Sequence, residues 1–572
     1  MVRGGSSGPE TGGAQSIHAI KANRLGYKPT VVLALFLGTF VFLQCFLPLR
    51  TVIQIGADEG FELAKATLCL QGSKLYTDVW NDQPPLHTFL ITQILKHISR
   101  SILGPRLVTT GFALVLLTSI FLISQRIGGL KVASLTTALL VGSPGFIELS
   151  ASCMLEIPAL APAVAALGLL LICSQTKGSI ADVLAGALFG IAFQMKLVTI
   201  ILLPLAALIN SLRCWKTKSP HPRREVETAS QAREQGARQS RAGVPPVSGC
   251  ARTATEPGRR EPGPTFSATS GRRGGAAAIL RSPSIRSLSA TGLFFVAGLA
   301  LSFVAIDYLI DGGSYLRHFQ QSWSSHFAHA KSFEYGSPND HPFEWSIFLK
   351  NWDTTVPAIL GIIVSLGQVR NAAAAILPLS WLVLVLVIFA THKPWWSYYY
   401  LHIAIPLCWC AAIGWEAIGR WIRLRRSVPF AVFLGLFGIC AAGWVGSRVY
   451  LQMVGIRNSP RTYASLVLGE IERLKPFVRF IYTDESIYSF HAGIPMPPKL
   501  AVLPLKRLWS GDMTNTRVAE EMWAIKPEAI LLRNDMRAAP FQNLIDAEYR
   551  VVYQDATHRL YTKKSLAKQA GY

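Results

Sequence analysis

The chain has 572 residues, half of them apolar, with only 16% charged and a mean hydropathy of +0.33. That composition excludes a disordered chain and an ordinary soluble domain, and it points to a polytopic membrane protein. A formal net charge of +23 would suggest nucleic acid in a soluble protein; on so apolar a chain it points to basic cytoplasmic loops, with no specific nucleic-acid partner.

Arg3, Lys21, Arg24 and Lys28 precede the first apolar run, so residues 1–29 read as a cytoplasmic tail. The run lacks a small-residue cleavage site and reads as a retained helix. A bilayer-spanning helix needs about 20 apolar residues. Candidates lie near 30–49, 107–125, 132–149, 157–174, 288–310, 353–369, 371–390, 399–418 and 428–449. The stretch 181–212 is interrupted by Gln194, Lys196 and Pro204 and reads as two short helices turning near Lys196. The total is about eleven spans, and residues 84–98 supply a twelfth or an interfacial helix. With an odd count the basic clusters Arg126/Lys131, Lys177, Arg213 to Arg286, Arg370 and Arg420–Arg426 all fall on the cytoplasmic side. The C-terminus is then extracytoplasmic.

Three polar pieces interrupt or follow this body, which spans 30–450. Residues 213–288 are rich in Arg, Ser, Gly and Pro and read as a disordered, basic cytoplasmic insertion. Residues 311–352 form an external loop carrying His318, His326, His329 and His341. His326-x-x-His329 has a spacing that permits metal binding, although interfacial loop histidines account for it better. Residues 455–572 read as a small external α/β domain. "VRFIYTDES" and "EAILLRND" are strands, "NTRVAEEMWAIK" is a helix and "YRVVYQDATHRLYTKK" is a strand pair. The nine cysteines lack metal-ligand spacing, Cys408-x-Cys410 lies inside an apolar run, and none follows Cys440; they read as packing residues.

The external side gathers the acids and cations that adjoin apolar spans. Asp58 and Glu59 follow the first span, in a loop region 51–106. Glu156 lies in "SASCMLEIP", Lys196 tops the broken hairpin, and His392 and Lys393 open "THKPWWSYYY". Ionisable groups at membrane depth are costly and mark a pathway or a site. Structural roles are available to each. Asp58 suits the N-cap of a helix over 59–70, and Glu156 suits the start of the fourth span. Lys196 suits a snorkelling position. Lys393, Trp395, Trp396 and the three tyrosines suit an interfacial belt. Asp78 and Asp82 read as solvated loop acids. Phe61, Ala64 and Leu68 give the 59–70 helix an apolar face that can lie on the membrane.

"ADEGFELAKATLCLQGSKLYTDVWNDQPPL", followed by "MLEIP", the hairpin with Lys196 and "HKPWWSYYYL", resembles the GT-C glycosyltransferases. The resemblance is greatest to protein O-mannosyltransferases and to bacterial aminoarabinose and lipopolysaccharide-sugar transferases. It implies a mainly α membrane bundle of a bacterial inner-membrane type. It implies transfer of a sugar from a polyprenyl-phosphate carrier to a lipid, glycan or protein acceptor on the extracytoplasmic face. By the same resemblance Asp58 is the catalytic base, Glu59 its supporting acid and Glu156 a second external acid. Asp58 and Glu156 are the candidates should a divalent metal take part. Lys393, His392, Lys196 and Gln83 are the candidates for holding the donor phosphate. Gln83 stands where the family commonly has Lys, which removes one charge and shifts the phosphate toward the other three. The alternative reading is a transporter or flippase for a lipid-linked or anionic substrate, although no internal repeat is evident.

Overall fold

The computed structural model describes residues 27–98, 100–173, 179–216, 283–326, 336–368, 376–425, 428–534 and 540–572. Most of the basic insertion, and His329 of the histidine pair, lie outside the described residues.

The chain is mainly helical. Its longer helices in the apolar body are α1 (Tyr27–Cys45), α2 (Glu59–Leu70), α3 (Leu86–His97), α4 (Leu103–Val141), α5 (Phe146–Ala151), α6 (Glu156–Ile172), α7 (Ser179–Met195) and α8 (Leu203–Lys216). After the insertion come α9 (Pro283–Asp311), α10 (Trp352–Gln368), α11 (Leu377–Thr391), α12 (Tyr400–Arg425) and α13 (Val428–Thr462). Among the described residues five helices are long and apolar enough to cross a membrane, and five shorter apolar ones accompany them.

Local chemistry redraws one expected boundary and keeps another. The run near 107–125 and the first part of the run near 132–149 join in α4, which is kinked at Gly129 and ends at Val141; the rest of the second run turns into α5. Gly129 sits at φ 79°, in the left-handed region that a side chain disfavours. Helix α7 ends at Met195, and Lys196 is extended (φ −156°, ψ 127°). A 3-10 turn (Leu197–Leu202) leads into α8, so the chain breaks at Lys196 as expected.

Glycines let the helices of the bundle approach closely, as small residues do in membrane packing. A Cβ on Gly186 of α7 would lie 2.0 Å from the Phe295 carbonyl oxygen of α9. A Cβ on Gly414 of α12 would lie 2.0 Å from the Pro357 carbonyl oxygen of α10. Side chains from α4, α6, α7, α11 and α12 fill the core between them, with Phe121, Phe189, Trp381 and Trp409 fully buried.

The C-terminal domain holds a four-stranded mixed sheet of order β1-β2-β4-β3. Its strands are β1 (Ile481–Thr483), β2 (Ala529–Arg533), β3 (Tyr549–Gln554) and β4 (His558–Lys563). β1 and β2 are parallel, with Ile481 opposite Ala529. β2–β4 and β3–β4 are antiparallel. Every strand expected from sequence contains an observed one. The expected helix is α17 (Asn515–Ile525), preceded by α14 (Ser465–Leu474), α15 (Ser486–Ala492) and α16 (Leu505–Trp509).

Helix α2 does not lie on a membrane surface; the C-terminal domain covers it. Leu63 and Ala66 pack into the core that holds Ile481, Leu531 and Leu560 on one face of the sheet. Leu68 and the partly buried Phe61 join Tyr482, Ile530 and Met522 on the other. Ala64 is buried as well. Gly60 is pressed against Ile487 of α15, where a Cβ would meet the backbone nitrogen at 2.9 Å. An apolar helix face needs cover, and a sheet supplies it as well as lipid does.

Candidate active site

The paired acids part company at the start of α2. Glu59 is fully buried and completely partnered. Arg106 of α4 donates from Nε to Oε1 at 2.9 Å and from Nη2 to Oε2 at 2.7 Å. The backbone amides of Ile55 and Cys153 each donate at 2.9 Å. Arg106 is itself fully buried and also donates to the carbonyls of Leu49 and Val52. Glu59 therefore ties three segments together: the loop after α1, helix α4, and the turn that leads to Glu156. Its oxygens are committed to that knot. Expected as the supporting acid of Asp58, Glu59 is thus fully engaged in the scaffold, which fits a positioning role.

Asp58 stands at the N-cap position of α2, yet its side chain makes no capping bond. It has no hydrogen bond or ion pair among the described residues. Burial is the main reason its pKa is pushed up to about 6; the charge on Glu156 adds to this, and Lys196 opposes it. The groups whose fields act on Asp58 are Glu156, Lys196, Glu62 and Asp82, which places it among them.

Glu156 opens α6 but caps nothing. Its Oε1 is ion-paired with the Lys196 ammonium, and its Oε2 is buried with no hydrogen-bond partner. The Lys196 ammonium also lies 5.1 Å from the ring centre of Tyr398 and 5.7 Å from that of Tyr399. It does not snorkel: its side chain is 11% exposed. An extended residue between two helical segments can project such a cation from a break in the bundle toward Glu156 and the two tyrosines.

The turn before α3 is fixed by a buried polar network. Lys65 donates to Glu62 (2.7 Å) and to Asn81 (3.0 Å), and the His87 ring meets Glu62 at 3.2 Å. Asn81 Nδ2 and the Tyr76 hydroxyl both donate to the Gln83 carbonyl at 2.8 Å. Gln83 is buried; its Nε2 donates to Asp82 and its Oε1 accepts from the Leu197 amide, one residue past Lys196. Asp82 is no solvated loop acid: Lys506 of the C-terminal domain is 2.5 Å from its Oδ2.

The "HKPWW" stretch divides in the same way. Trp395 is buried against Phe343 and Phe389 in the bundle core rather than anchored at an interface. Tyr399 stacks on Phe389 and faces Lys196. His392 lies 6.2 Å from the Tyr399 ring; burial, and then the positive charge of Lys506, hold it below the usual imidazole range. It is therefore neutral at pH 7 and a weak partner for phosphate. Lys393 is exposed.

Of the residues expected from sequence, the structure thus brings together Asp58, Glu156, Lys196 and Gln83, with His392 one ring farther out. It turns Glu59 away and leaves Lys393 in the open. Not every ionisable group at membrane depth joins this end. Asp182 pairs with Arg213 (2.6 Å) at the start of α7, the far end of that helix from Lys196. Arg106, Asp82 and Lys506 were missed as partners of the site. Arg106 carried one signal, a lone cation inside the apolar run "LGPRLVTTGFALVLL".

A metal finds little here. Asp58 and Glu156 are two donors, one already paired with lysine, and no group of three or more His, Cys, Asp or Glu side chains gathers among the described residues. Divalent cations with oxygen ligands want a larger set.

A family profile described as dolichyl-phosphate-mannose-protein mannosyltransferase matches residues 82–223, the segment holding Gln83, Glu156 and Lys196. The fold aligns with ArnT from Cupriavidus metallidurans bound to undecaprenyl phosphate. The TM-score is 0.56 at 12% identity, over 93% of this chain and 98% of that one. The apo form of that protein gives 0.56 at 13% identity, over the same shares. The oligosaccharyltransferase AglB from Archaeoglobus fulgidus, in complex with an inhibitory peptide and a dolichol-phosphate, aligns at 0.51 and 12% identity. That alignment covers 94% of this chain and 74% of AglB. Comparison with curated protein sequences gives no match. Over residues 82–223 the chain is similar to that mannosyltransferase family, and its fold is that of ArnT and AglB. The ArnT-like fold extends over nearly the whole length of the chain. In this fold the C-terminal mixed sheet sits directly over α2, the helix that Asp58 begins.

Proposed function

We propose that the protein transfers a sugar from a polyprenyl-phosphate carrier to an acceptor hydroxyl on the extracytoplasmic face, with Asp58 as the base. The observation that carries this reading is the contrast at α2. Asp58 keeps a carboxylate with no hydrogen bond or ion pair among the described residues, near a lysine whose paired glutamate leaves one buried oxygen unpartnered.

The chemistry needs two things. The acceptor oxygen must lose a proton as it forms its bond to the anomeric carbon. The electron pair of the breaking C–O bond must be taken up by the phosphate. Asp58, raised to about 6, is mostly ionised at pH 7 and is a stronger base than an ordinary carboxylate. Lys196 supplies positive charge to the departing polyprenyl phosphate, held in place by Glu156 below and by Tyr398 and Tyr399 beside it. Direct displacement of this kind inverts the anomeric centre. Polyprenyl phosphate is supported by the carriers named for the two aligned structures, undecaprenyl phosphate with ArnT and dolichol-phosphate with AglB. The extracytoplasmic side is supported by the basic N-terminal segment and the alternation of charged loops.

The test is transfer from a lipid-linked donor by purified Asp58→Asn protein. Loss of activity by about 10²- to 10⁴-fold, with folding intact, is the expected result. Full transfer by that variant would remove Asp58 from the base role. Thiol labelling of an Ala57→Cys variant in intact cells tests the side of the membrane; access only from the cytoplasm would overturn the extracytoplasmic assignment.

A further inference from the structure

The charged groups of the site come from the helical bundle and its loops, with one exception. Lys506 belongs to α16 of the C-terminal domain, and α16 packs against both the loop that carries Trp80 and Asp82 and the loop that carries Trp396. On one side Arg507 lies over the Trp80 ring at 5.6 Å and Lys506 pairs with Asp82. On the other side Trp509 stacks on Trp396, with planes 5° apart and ring centres 6.4 Å apart. Arg507 further pins the helix through Asp512 and the carbonyls of Lys499 and Val502.

Lys506 therefore arrives at a fixed place. Its partner oxygen, Asp82 Oδ2, also accepts from Gln83 Nε2 at 3.0 Å, and Gln83 Oε1 meets the amide next to Lys196. The field of Asp82 acts on Asp58, Tyr398 and Tyr399, the groups around Lys196. That of Lys506 acts on His392. The chain Lys506–Asp82–Gln83–Leu197 thus links the C-terminal domain to the break in the bundle at Lys196.

A role as a domain latch is not required. The domain is already docked by the apolar faces around α2, and a partly exposed ion pair adds little to such docking. At 28% exposure for the Lys506 side chain and 14% for that of Asp82, the pair stands at a mouth rather than in a seal. Lys196, meanwhile, shares its charge with Glu156. A phosphate leaving with nearly two negative charges calls for a second cation.

We propose that Lys506, presented by the C-terminal domain and parked on Asp82, binds the donor phosphate opposite Lys196. The inference rests on the polyprenyl-phosphate reading above. On arrival of the phosphate the ammonium exchanges the Asp82 carboxylate for a phosphate oxygen, and no covalent bond changes.

The experiment measures equilibrium binding of undecaprenyl phosphate to the full-length protein in lipid nanodiscs. Lys506→Gln is expected to weaken binding about 10-fold or more, the loss of one charge-assisted hydrogen bond, and Lys506→Arg to restore most of it. Asp82→Asn is expected to tighten binding, because it removes a competing anion and frees the lysine. A latch would make the two losses alike: equal weakening by Lys506→Gln and Asp82→Asn overturns the proposal. So does wild-type affinity in Lys506→Gln. Wild-type protein that neither binds undecaprenyl phosphate nor transfers sugar from any polyprenyl-phosphate donor overturns the functional reading, and this inference with it. Unfolding temperatures of all three variants separate binding loss from misfolding.

Discussion

Asp58 and Glu59 share a peptide bond, yet Glu59 is held by two bonds from Arg106 and two backbone amides, while the Asp58 carboxylate holds nothing. The comparison extends to the regions they belong to. The Glu59–Arg106 knot is dry, complete and joins three segments of chain. The cluster of Asp58, Glu156 and Lys196 is incomplete by at least one buried carboxylate oxygen. A buried charge is tolerated when every lone pair is used. Where lone pairs are left over, the fold is carrying a cost that a substrate can relieve. One region positions the chain, and the other is left reactive.

The largest expected effect is on catalysis. Asp58→Asn should lose about 10²- to 10⁴-fold in transfer rate, measured with saturating donor, while its unfolding temperature does not fall. Next comes the knot. Arg106→Ala leaves Glu59 charged, buried and unpaired, and should destabilise the protein by about 3–5 kcal/mol. Folded yield in detergent reports this directly. An Arg106→Ala protein with normal yield and normal activity would erase the distinction between the two regions. Lys196→Met should preserve folding better than Arg106→Ala but lower transfer by about 10²-fold, the scale of one charged stabiliser of a leaving group.

What could be seen in the sequence follows from the same physics. Apolar runs, strand alternation in 478–563 and the break at Lys196 are local patterns, and the structure contains each of them. The gathering of Asp58, Glu156 and Lys196 was legible from charge alternation between spans. The division of labour between Asp58 and Glu59 was not, because it depends on Arg106, 47 positions away. Nor did the apolar face of α2 name its cover; Leu63, Ala66 and Leu68 would suit lipid as well as a sheet. Lys506 looked like any surface lysine of a soluble domain, and only the docking of α16 gives it a partner.

The titration of Asp58 sharpens the comparison further. Its pKa is raised to about 6, so burial disfavours the ionised form. Its contribution to stability is most favourable below its unfolded value near 4 and is lost as pH rises through about 6. Asp58→Asn should then stabilise the protein at neutral pH by on the order of 1 kcal/mol, after allowance for screening by the water that reaches it. Activity runs the opposite way. Transfer needs the carboxylate, so kcat should fall as pH drops below about 6, and this limb should vanish in Asp58→Asn. A wild-type profile that stays flat down to pH 4.5 would show that Asp58 does not titrate in the reaction.

The smallest effect is expected at Lys393, and it tests where the phosphate lies. Lys393 is exposed, on the outer turn of "HKPWW", while Trp395 behind it is buried in the core and Tyr399 faces Lys196. A cation in open water gains little from a phosphate, because solvent screens the pair. Lys393→Ala should therefore change the donor KM by less than about twofold, with the residue of the effect sensitive to salt. If that substitution instead costs as much as Lys196→Met, the phosphate must sit at the outer turn, above the tyrosines. The Lys196–Glu156 pair would then belong with Glu59 and Arg106, as part of the scaffold.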